Sequence, residues 1–329
     1  MRNCLVTGGS GFLGTALVGR LRERGDRVTV LARRGQPATE ALGAETLRAD
    51  LRDPEAVRAA CRGRDVVFHV AAKAGIWGSE DEYEAINVRG TRHVLEGCWE
   101  AKVPTLVYTS TPSVVYARGS IEGGREDLPY PVRFECAYAR TKAAAERMVL
   151  AAHGQDGLAT VALRPHLIYG PGDPNLVPRV LQRAREGRLF RVGPGDNRVD
   201  LTFVENAADA HVLAADRIGT AGGKAYFLSD GEPVRLWDWI DELLRELAIP
   251  PLRRSVPYGL ARAMGTAMET AWKVLHLPGE PRMTRFLASQ LATSHWFDLT
   301  AARRDLGYEP KVSGREGFRR LVESLRPRG

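Results

Sequence analysis

Two residues one helical turn apart carry the most chemistry in this 329-residue chain: Tyr138 and Lys142, in Tyr138-Ala139-Arg140-Thr141-Lys142. The stretch runs on through Ala143-Ala144-Ala145-Glu146 and reads as a helix, so a spacing of four sets phenol and ammonium on one face. A free phenol titrates near 10, too high for easy proton exchange at neutral pH. A neighbouring ammonium favours the phenolate; a shift of about three units takes roughly 4 kcal/mol. The chain has six Lys among its 47 basic residues, so a Lys at this position is informative. Upstream, Thr109-Ser110-Thr111-Pro112-Ser113 follows the apolar run Thr105–Tyr108 and places hydroxyls at the carboxyl end of a strand. Hydroxyls, phenol and amine together suit proton exchange at a carbonyl or alcohol oxygen.

A second constellation suits a nucleotide. Cys4-Leu5-Val6 runs into Thr7-Gly8-Gly9-Ser10-Gly11-Phe12-Leu13-Gly14, and an amphipathic segment with Leu13, Ala16, Leu17 and Leu21 follows. Gly25 ends it before the apolar run Val28–Leu31. This is strand, glycine turn, helix, strand, the context that turns a glycine triplet into a phosphate site. Gly8 allows the tight turn, Gly11 lets a pyrophosphate approach the backbone, and Gly14 lets helix and sheet pack closely. Ser10, Phe12 and Leu13 complete the cradle at the helix N-terminus. The second strand ends Leu31-Ala32-Arg33-Arg34, without the carboxylate that usually holds a ribose 2′-hydroxyl. Two guanidinium groups suit a 2′-phosphate, so the expected cofactor is NADP(H), with Arg33 the main contact and Arg34 beside it.

Further runs complete an alternating α/β chain: Leu47–Leu51, Val66–Val70, Thr105–Tyr108, Thr160–Leu163 and Ala225–Leu228 read as strands. Ala71 and Ala72 leave room for the cofactor beyond the fourth. The loop Lys73–Gly78 lies at a strand's carboxyl end, where open sheets bind ligands; Lys73 and Trp77 are substrate candidates or plain surface residues. The expected architecture is a Rossmann-type, doubly wound parallel sheet with a smaller C-terminal substrate lobe. Residues 1–164 and 196–228 are assigned to the first unit, and 165–195 and 229–329 to the lobe.

The glycine turn, the hydroxyl strand end and Tyr-x-x-x-Lys together resemble the extended branch of the short-chain dehydrogenase/reductase superfamily. Tyr108-Thr109-Ser110-Thr111, Ala71-Ala72-Lys73-Ala74-Gly75 and Leu306-Gly307-Tyr308-Glu309-Pro310-Lys311 are similar to its 3β-hydroxysteroid dehydrogenase-like group. Within that group, Thr109–Val114, Gly279-Glu280-Pro281, Met283–Leu287 and His295-Trp296 resemble bacterial ketoreductases of olefin biosynthesis acting on 2-alkyl-3-oxoalkanoates. The resemblance implies an oxidoreductase in which Tyr138 exchanges the proton, Lys142 holds the nicotinamide ribose and Thr111 stands where many members have Ser, with Ser113 the fallback. It implies that Asp50 faces the adenine with Leu51 nearby, a turn or capping acid being the alternative. It also implies that Asn87 holds active-site backbone, and that Pro165 and His166 lie on the cofactor side. For His166 a structural hydrogen bond is equally expected. A homodimer and association with other olefin-pathway enzymes are implied in the same way. Alternatives of the same fold are a hydrophobic alcohol or 3β-hydroxysteroid dehydrogenase, a sugar-nucleotide epimerase, which the arginines disfavour, and a non-catalytic NADP(H) sensor, which Tyr138 and Lys142 disfavour.

Composition narrows the classes. Net charge is +7, but the basic residues form no blocks, so anionic small molecules are expected rather than nucleic acid. Cys4, Cys61, Cys98 and Cys136 show no metal spacing and read as reduced thiols of a cytoplasmic protein, with no metal expected. The N-terminus enters the first strand directly, which leaves no room for a cleavable leader, and no stable membrane span is expected. Between Val256 and Leu277, Leu260, Met264, Ala267, Met268, Ala271, Trp272 and Leu275 recur at helical spacing. That face is a core contact, a membrane-surface helix or a flexible lid over a long acyl chain, with Met268 a substrate candidate.

Overall fold

The computed structural model describes residues 1–35 and 37–326. Seven parallel strands form its centre: β1 (Asn3–Thr7), β2 (Arg27–Ala32), β3 (Glu45–Arg48), β4 (Val66–His69), β5 (Thr105–Thr109), β6 (Ala159–Pro165) and β7 (Ala225–Leu228). Across the sheet they lie in the order β7-β6-β5-β4-β1-β2-β3. The order reverses between β1 and β4, and ligands bind beyond the carboxyl ends of strands at such a switch point. β4 and β5 are buried along their whole length, as expected of strands covered on both faces, whereas edge strand β3 is largely open. The third strand starts two residues earlier than the apolar pattern suggests. Leu51 is buried, but in the turn beyond it, close beneath Gly90.

Helices α1 (Phe12–Glu23) and α5 (Val204–Asp216) pack together over one face; α2 (Pro54–Cys61), α3 (Gly90–Glu100) and α4 (Ala137–Ala151) lie over the other. α1 buries Leu13, Leu17, Val18 and Leu21, close to the predicted stripe. A separate core around Tyr169, Val192, Trp237 and Leu243 forms the second lobe.

The lobe boundaries differ from the sequence assignment in two places. Ile121–Gly124 pairs with His295–Phe297 in a four-stranded sheet that also holds Arg198–Val199 and Val234–Arg235, so the first segment contributes a strand to the lobe sheet. Conversely, Ala302, Leu306 and Tyr308 return to the first core beside Tyr226. Polar contacts anchor them: the Tyr308 hydroxyl donates to the Ser229 carbonyl at 3.0 Å, and Asp305 accepts from Lys224 and Tyr226. Neither link has a local sequence signal.

The apolar helix of the lobe is α6 (Tyr258–Val274), and its buried side is not the predicted one. Ala261, Gly265 and Glu269 are buried, while Leu260, Val274 and Leu275 are exposed and Met264, Met268 and Trp272 are half-buried. The cause is α7 (Arg285–Ala292), which packs so close that a Cβ on Gly265 would lie 2.6 Å from the Thr284 carbonyl carbon. Small residues make that approach, and Glu269 secures it by accepting from the Arg285 backbone N–H at 2.6 Å and its Nε at 2.9 Å.

Candidate active site

The glycine turn has the geometry of an anion cradle. Gly8 sits at φ +69°, and a Cβ there would lie 2.7 Å from Ala71 Cα. A Cβ on Gly14 would lie 2.1 Å from the Gly8 carbonyl oxygen, so both glycines are sterically required. Gly11 differs: its Cβ would meet only the Gly8 oxygen, at 3.3 Å, and the residue is exposed. The space beside it is open, and α1 begins there without a side-chain cap, leaving backbone donors for an anion. Arg33 and Arg34 are exposed beyond β2 and form no ion pair among the described residues. These residues fit a phosphate-rich dinucleotide. The Asp50 carboxylate accepts from Arg52 Nε at 3.0 Å and Nη2 at 2.7 Å, and from the Arg52 backbone.

Tyr138 and Lys142 both lie in the first two turns of α4. Burial pushes the Tyr138 phenol up to about 12, with Thr111 opposing the shift. The Lys142 ammonium donates to the Thr109 carbonyl oxygen at 2.6 Å and lies 4.1 Å from the Tyr108 ring centroid. Burial pushes it down to about 7, with Glu146 one turn on opposing the shift. The expectation of a phenol lowered by Lys142 is therefore not met: Lys142 is engaged by a carbonyl and a ring face, and desolvation governs Tyr138. A phenol in this state is protonated at neutral pH and acts as a proton donor. Thr111 starts a short turn over Pro112–Val114; its hydroxyl donates to Ser113 Oγ at 3.2 Å and accepts from Ser113 N at 3.3 Å.

A buried polar chain fixes these groups. Ala71 N–H donates to Thr7 Oγ1, which bonds His69 Nδ1 at 2.7 Å; His69 Nε2 bonds Thr91 Oγ1 at 2.9 Å, and that hydroxyl donates to the Asn87 carbonyl. Burial pushes His69 down to about 3, so it is a neutral link. Asn87, in the π-helical turn Glu84–Arg89, accepts from Lys73 N at 2.7 Å and donates to Lys73 O and Thr141 Oγ1. It ties the loop after β4 to α4, the role the resemblance implied. Below Lys142, Glu146 accepts two bonds from buried Arg164, at 3.0 and 2.7 Å, and one from Tyr130. His69, Thr91, Glu146 and Arg164 were not singled out from sequence; a lone His in an apolar strand was the available signal.

A cavity of about 390 Å³ opens between the lobes, lined by Trp77, Cys136, Ala137 and Arg140 from the first and by Glu269, Lys273, Thr284, Arg285 and Phe286 from the second. Of the three substrate candidates only Trp77 lines it. The Lys73 ammonium is paired with Glu82 at 2.7 Å, and Met268 packs on the second core. Arg262 binds Glu135 at 2.7 Å, joining α6 to the residues just before α4. Pro165 ends β6 and is buried, with Ala71 and Ala72 beyond β4. His166 turns toward the lobe: its Nε2 bonds His295 Nδ1 at 3.1 Å, and His295 Nε2 meets the Gln290 carbonyl at 2.9 Å. Burial pushes both rings down. Among the described residues no group of His, Cys, Asp or Glu could hold a metal, and no helix is long and apolar enough to cross a membrane.

Residues 5–257 match the 3-beta hydroxysteroid dehydrogenase/isomerase family. The chain is 49% identical over 325 residues, 97% of its length and 98% of the relative's, to 2-alkyl-3-oxoalkanoate reductase of Stenotrophomonas maltophilia. It is 33% identical over 332 residues, 99% of its length and 88% of the relative's, to the decarboxylating sterol-4-alpha-carboxylate 3-dehydrogenase of Homo sapiens. Among solved structures, MoeE5 in complex with UDP-glucose and NAD superposes with a TM-score of 0.76 at 27% identity, covering 98% of each chain.

Proposed function

We propose, from the premise that this chain belongs to the 3-beta hydroxysteroid dehydrogenase/isomerase family and is an oxidoreductase, that it reduces the 3-keto group of a long-chain 2-alkyl-3-oxoalkanoate to the 3-hydroxy acid with NADPH. The observation that supports the reading is a phenol one helical turn from a buried amine, on a helix whose Ala137 and Arg140 line the interlobe cavity. The bound nicotinamide supplies the hydride. Tyr138 gives its proton to the carbonyl oxygen, and Thr111 hydrogen-bonds that oxygen as charge develops on it. Lys142 keeps one donor on Thr109 and has its remaining donors for ribose hydroxyls. The uncapped α1 N-terminus binds the pyrophosphate and Arg33 the 2′-phosphate. The name of the 49% identical relative supports the substrate class.

The test is steady-state reduction of a synthetic 2-alkyl-3-oxoalkanoate with NADPH and NADH, beside oxidation of a 3β-hydroxysteroid. The keto acid with NADPH is expected to give the highest kcat/KM, and Arg33→Ala to lower kcat/KM for NADPH about tenfold while sparing NADH. Preference for the steroid would replace the substrate assignment, and equal use of both cofactors by the wild-type protein would remove the role of Arg33.

A further inference from the structure

Three charged side chains meet under α4 where water does not reach. Lys142 and Glu146 of α4 and Arg164 of β6 are each at most 2% exposed. A spacing of four puts the ammonium and the carboxylate on one face of the helix. Yet the hydrogen bond of the ammonium goes to the Thr109 carbonyl oxygen at 2.6 Å, not to that carboxylate. Glu146 is turned to Arg164 instead. Its Oε2 accepts from Nε at 3.0 Å, its Oε1 from Nη2 at 2.7 Å, and Oε1 also accepts from the Tyr130 hydroxyl at 2.7 Å. Two cations therefore share one anion. The groups around them add little charge on the Lys142 side. Tyr108 of β5 offers a ring face 4.1 Å from Nζ, and Tyr138 lies one turn back. His69 of β4 and His211 of α5, which bonds Thr109 Oγ1, are held neutral by burial. On the far side, Arg147 lies 4.2 Å from the Tyr130 ring centroid, and Glu126, near Arg164, accepts from the Phe227 backbone. Burial favours the neutral form of Lys142, and the Glu146 charge opposes it.

We infer that Glu146 and Arg164 are positioning residues for Lys142: the carboxylate holds the amine as an ammonium, and Arg164 limits that hold by occupying both carboxylate oxygens. A plain staple between α4 and β6 would not need these residue types, because a buried ion pair adds little stability over an apolar pair of the same size. The pair instead acts on the one neighbour that can lose a proton. Without Glu146, two cations would face each other, and the proton would leave Lys142, since a guanidinium keeps its own. Without Arg164, the carboxylate would be free to turn to the ammonium and hold it more firmly. The charge state fixes what Lys142 offers. An ammonium has three donors and no acceptor, whereas the neutral amine has two donors and a lone pair. With one donor on Thr109, the count left for the nicotinamide ribose changes with the proton. That consequence rests on the ketoreductase reading above; the charge of Lys142 does not.

The experiment titrates Lys142 directly. With six Lys in the chain, protein labelled with carbon-13 at lysine Cε gives few NMR signals, and Lys142→Arg identifies the one that matters. Its midpoint is followed against pH in wild type, Glu146→Gln, Arg164→Gln and the double variant. Glu146→Gln is expected to lower the midpoint by at least about one pH unit and Arg164→Gln to raise it by a similar amount, with the double variant between them. Loss of a mere staple would loosen the site in both single variants and move both midpoints the same way. Shifts of the same sign, or none, would overturn the assignment. Glu146→Gln leaves Arg164 buried without its carboxylate and is the variant most at risk of not folding. In that event Arg164→Gln is compared with the double variant, which must titrate lower; equal midpoints would overturn the assignment. In parallel, the pH profile of kcat/KM for NADPH-dependent reduction of the 2-alkyl-3-oxoalkanoate is recorded, and its alkaline limb should move with the NMR midpoint. A limb that stays fixed while the midpoint moves would remove the pair's part in turnover. Opposite midpoint shifts in a protein that reduces no keto acid would sink the ketoreductase reading and leave the control of the Lys142 charge standing.

Discussion

Helices α4 and α6 face each other across one cavity, yet they are held by opposite means. α4 buries polar groups: Thr141, Lys142 and Glu146 all lie inside, each bonded to a neighbouring element. α6 leaves apolar residues outside and buries Ala261, Gly265 and one carboxylate. The first arrangement holds reacting atoms at fixed distances, because a buried polar group with satisfied partners has one low-energy position. The second relies on close backbone approach and ion pairs at the cavity rim, Glu269 with Arg285 and Glu135 with Arg262. One wall is fixed by buried polar groups, the other by backbone packing and rim ion pairs.

The sharpest way to break this contrast is at the phenol. Tyr138→Phe removes the proton donor and keeps the ring, so turnover is expected to fall about 10³-fold, the range for loss of a general acid. NADPH affinity, measured by fluorescence titration, should stay within about twofold, because the cradle at Gly8, Gly11 and Gly14 is untouched. A variant that keeps more than a tenth of wild-type turnover would remove Tyr138 from the chemistry.

A smaller effect is expected on the opposite wall. Gly265→Val puts methyl groups where a Cβ already lies 2.7 Å from Arg285 N and 2.9 Å from Thr284 O. Backbone cannot rotate aside, so α7 must move, at a cost of about 1–3 kcal/mol in stability. Thr284, Arg285 and Phe286 line the cavity, so KM for the substrate should rise several-fold while NADPH affinity is unchanged. Gly259→Ala, where an added Cβ meets nothing within 4 Å, is the control on the same helix. Equal losses of substrate and cofactor binding would show that the two walls are not separable.

Legibility from sequence follows the same division. The glycine turn, the sheet and the Tyr138–Lys142 pair were readable because each is local: a spacing and a flanking element suffice. The third strand is less so: it starts at Glu45 and ends at Arg48, and Leu51 is buried only in the turn beyond it. α6 was misjudged because its apolar periodicity is real but its partner α7 fits only against small residues, and nothing near Gly265 announces that partner. The charge pairs at the rim join residues as far apart as Glu135 and Arg262, and the pairing of Ile121–Gly124 with His295–Phe297 spans a similar separation. Only the fold brings them together. The phenol's titration was misjudged for a related reason: spacing predicts that Lys142 shares a face with Tyr138, but not that a carbonyl and a ring would engage it first.

At the seam between the walls, Asp200 offers the smallest and most diagnostic test. Its Oδ2 accepts from Phe297 N at 2.7 Å, its Oδ1 has no partner, and the residue is 1% exposed. Burial raises its carboxyl to about 7 from an ordinary 3.8. The folded protein thus binds a proton that the unfolded chain releases between those values. Stability from this group is full below about 3.8, is lost as pH rises toward 7, and contributes a slope of at most about 1.4 kcal/mol per pH unit. Asp200→Asn keeps the acceptor and cannot ionise, so urea unfolding between pH 4.5 and 7 should lose that downward slope, with the variant gaining on wild type as pH rises. Because Phe297 belongs to the lobe sheet and Asp200 follows the strand Arg198–Val199, the gain should appear in the lobe, as slower amide exchange in His295–Phe297 and unchanged exchange in β1 and β4. A slope identical in wild type and variant would mean that Asp200 is ionised in the folded protein, and that the seam holds a charge that its single backbone bond must stabilise.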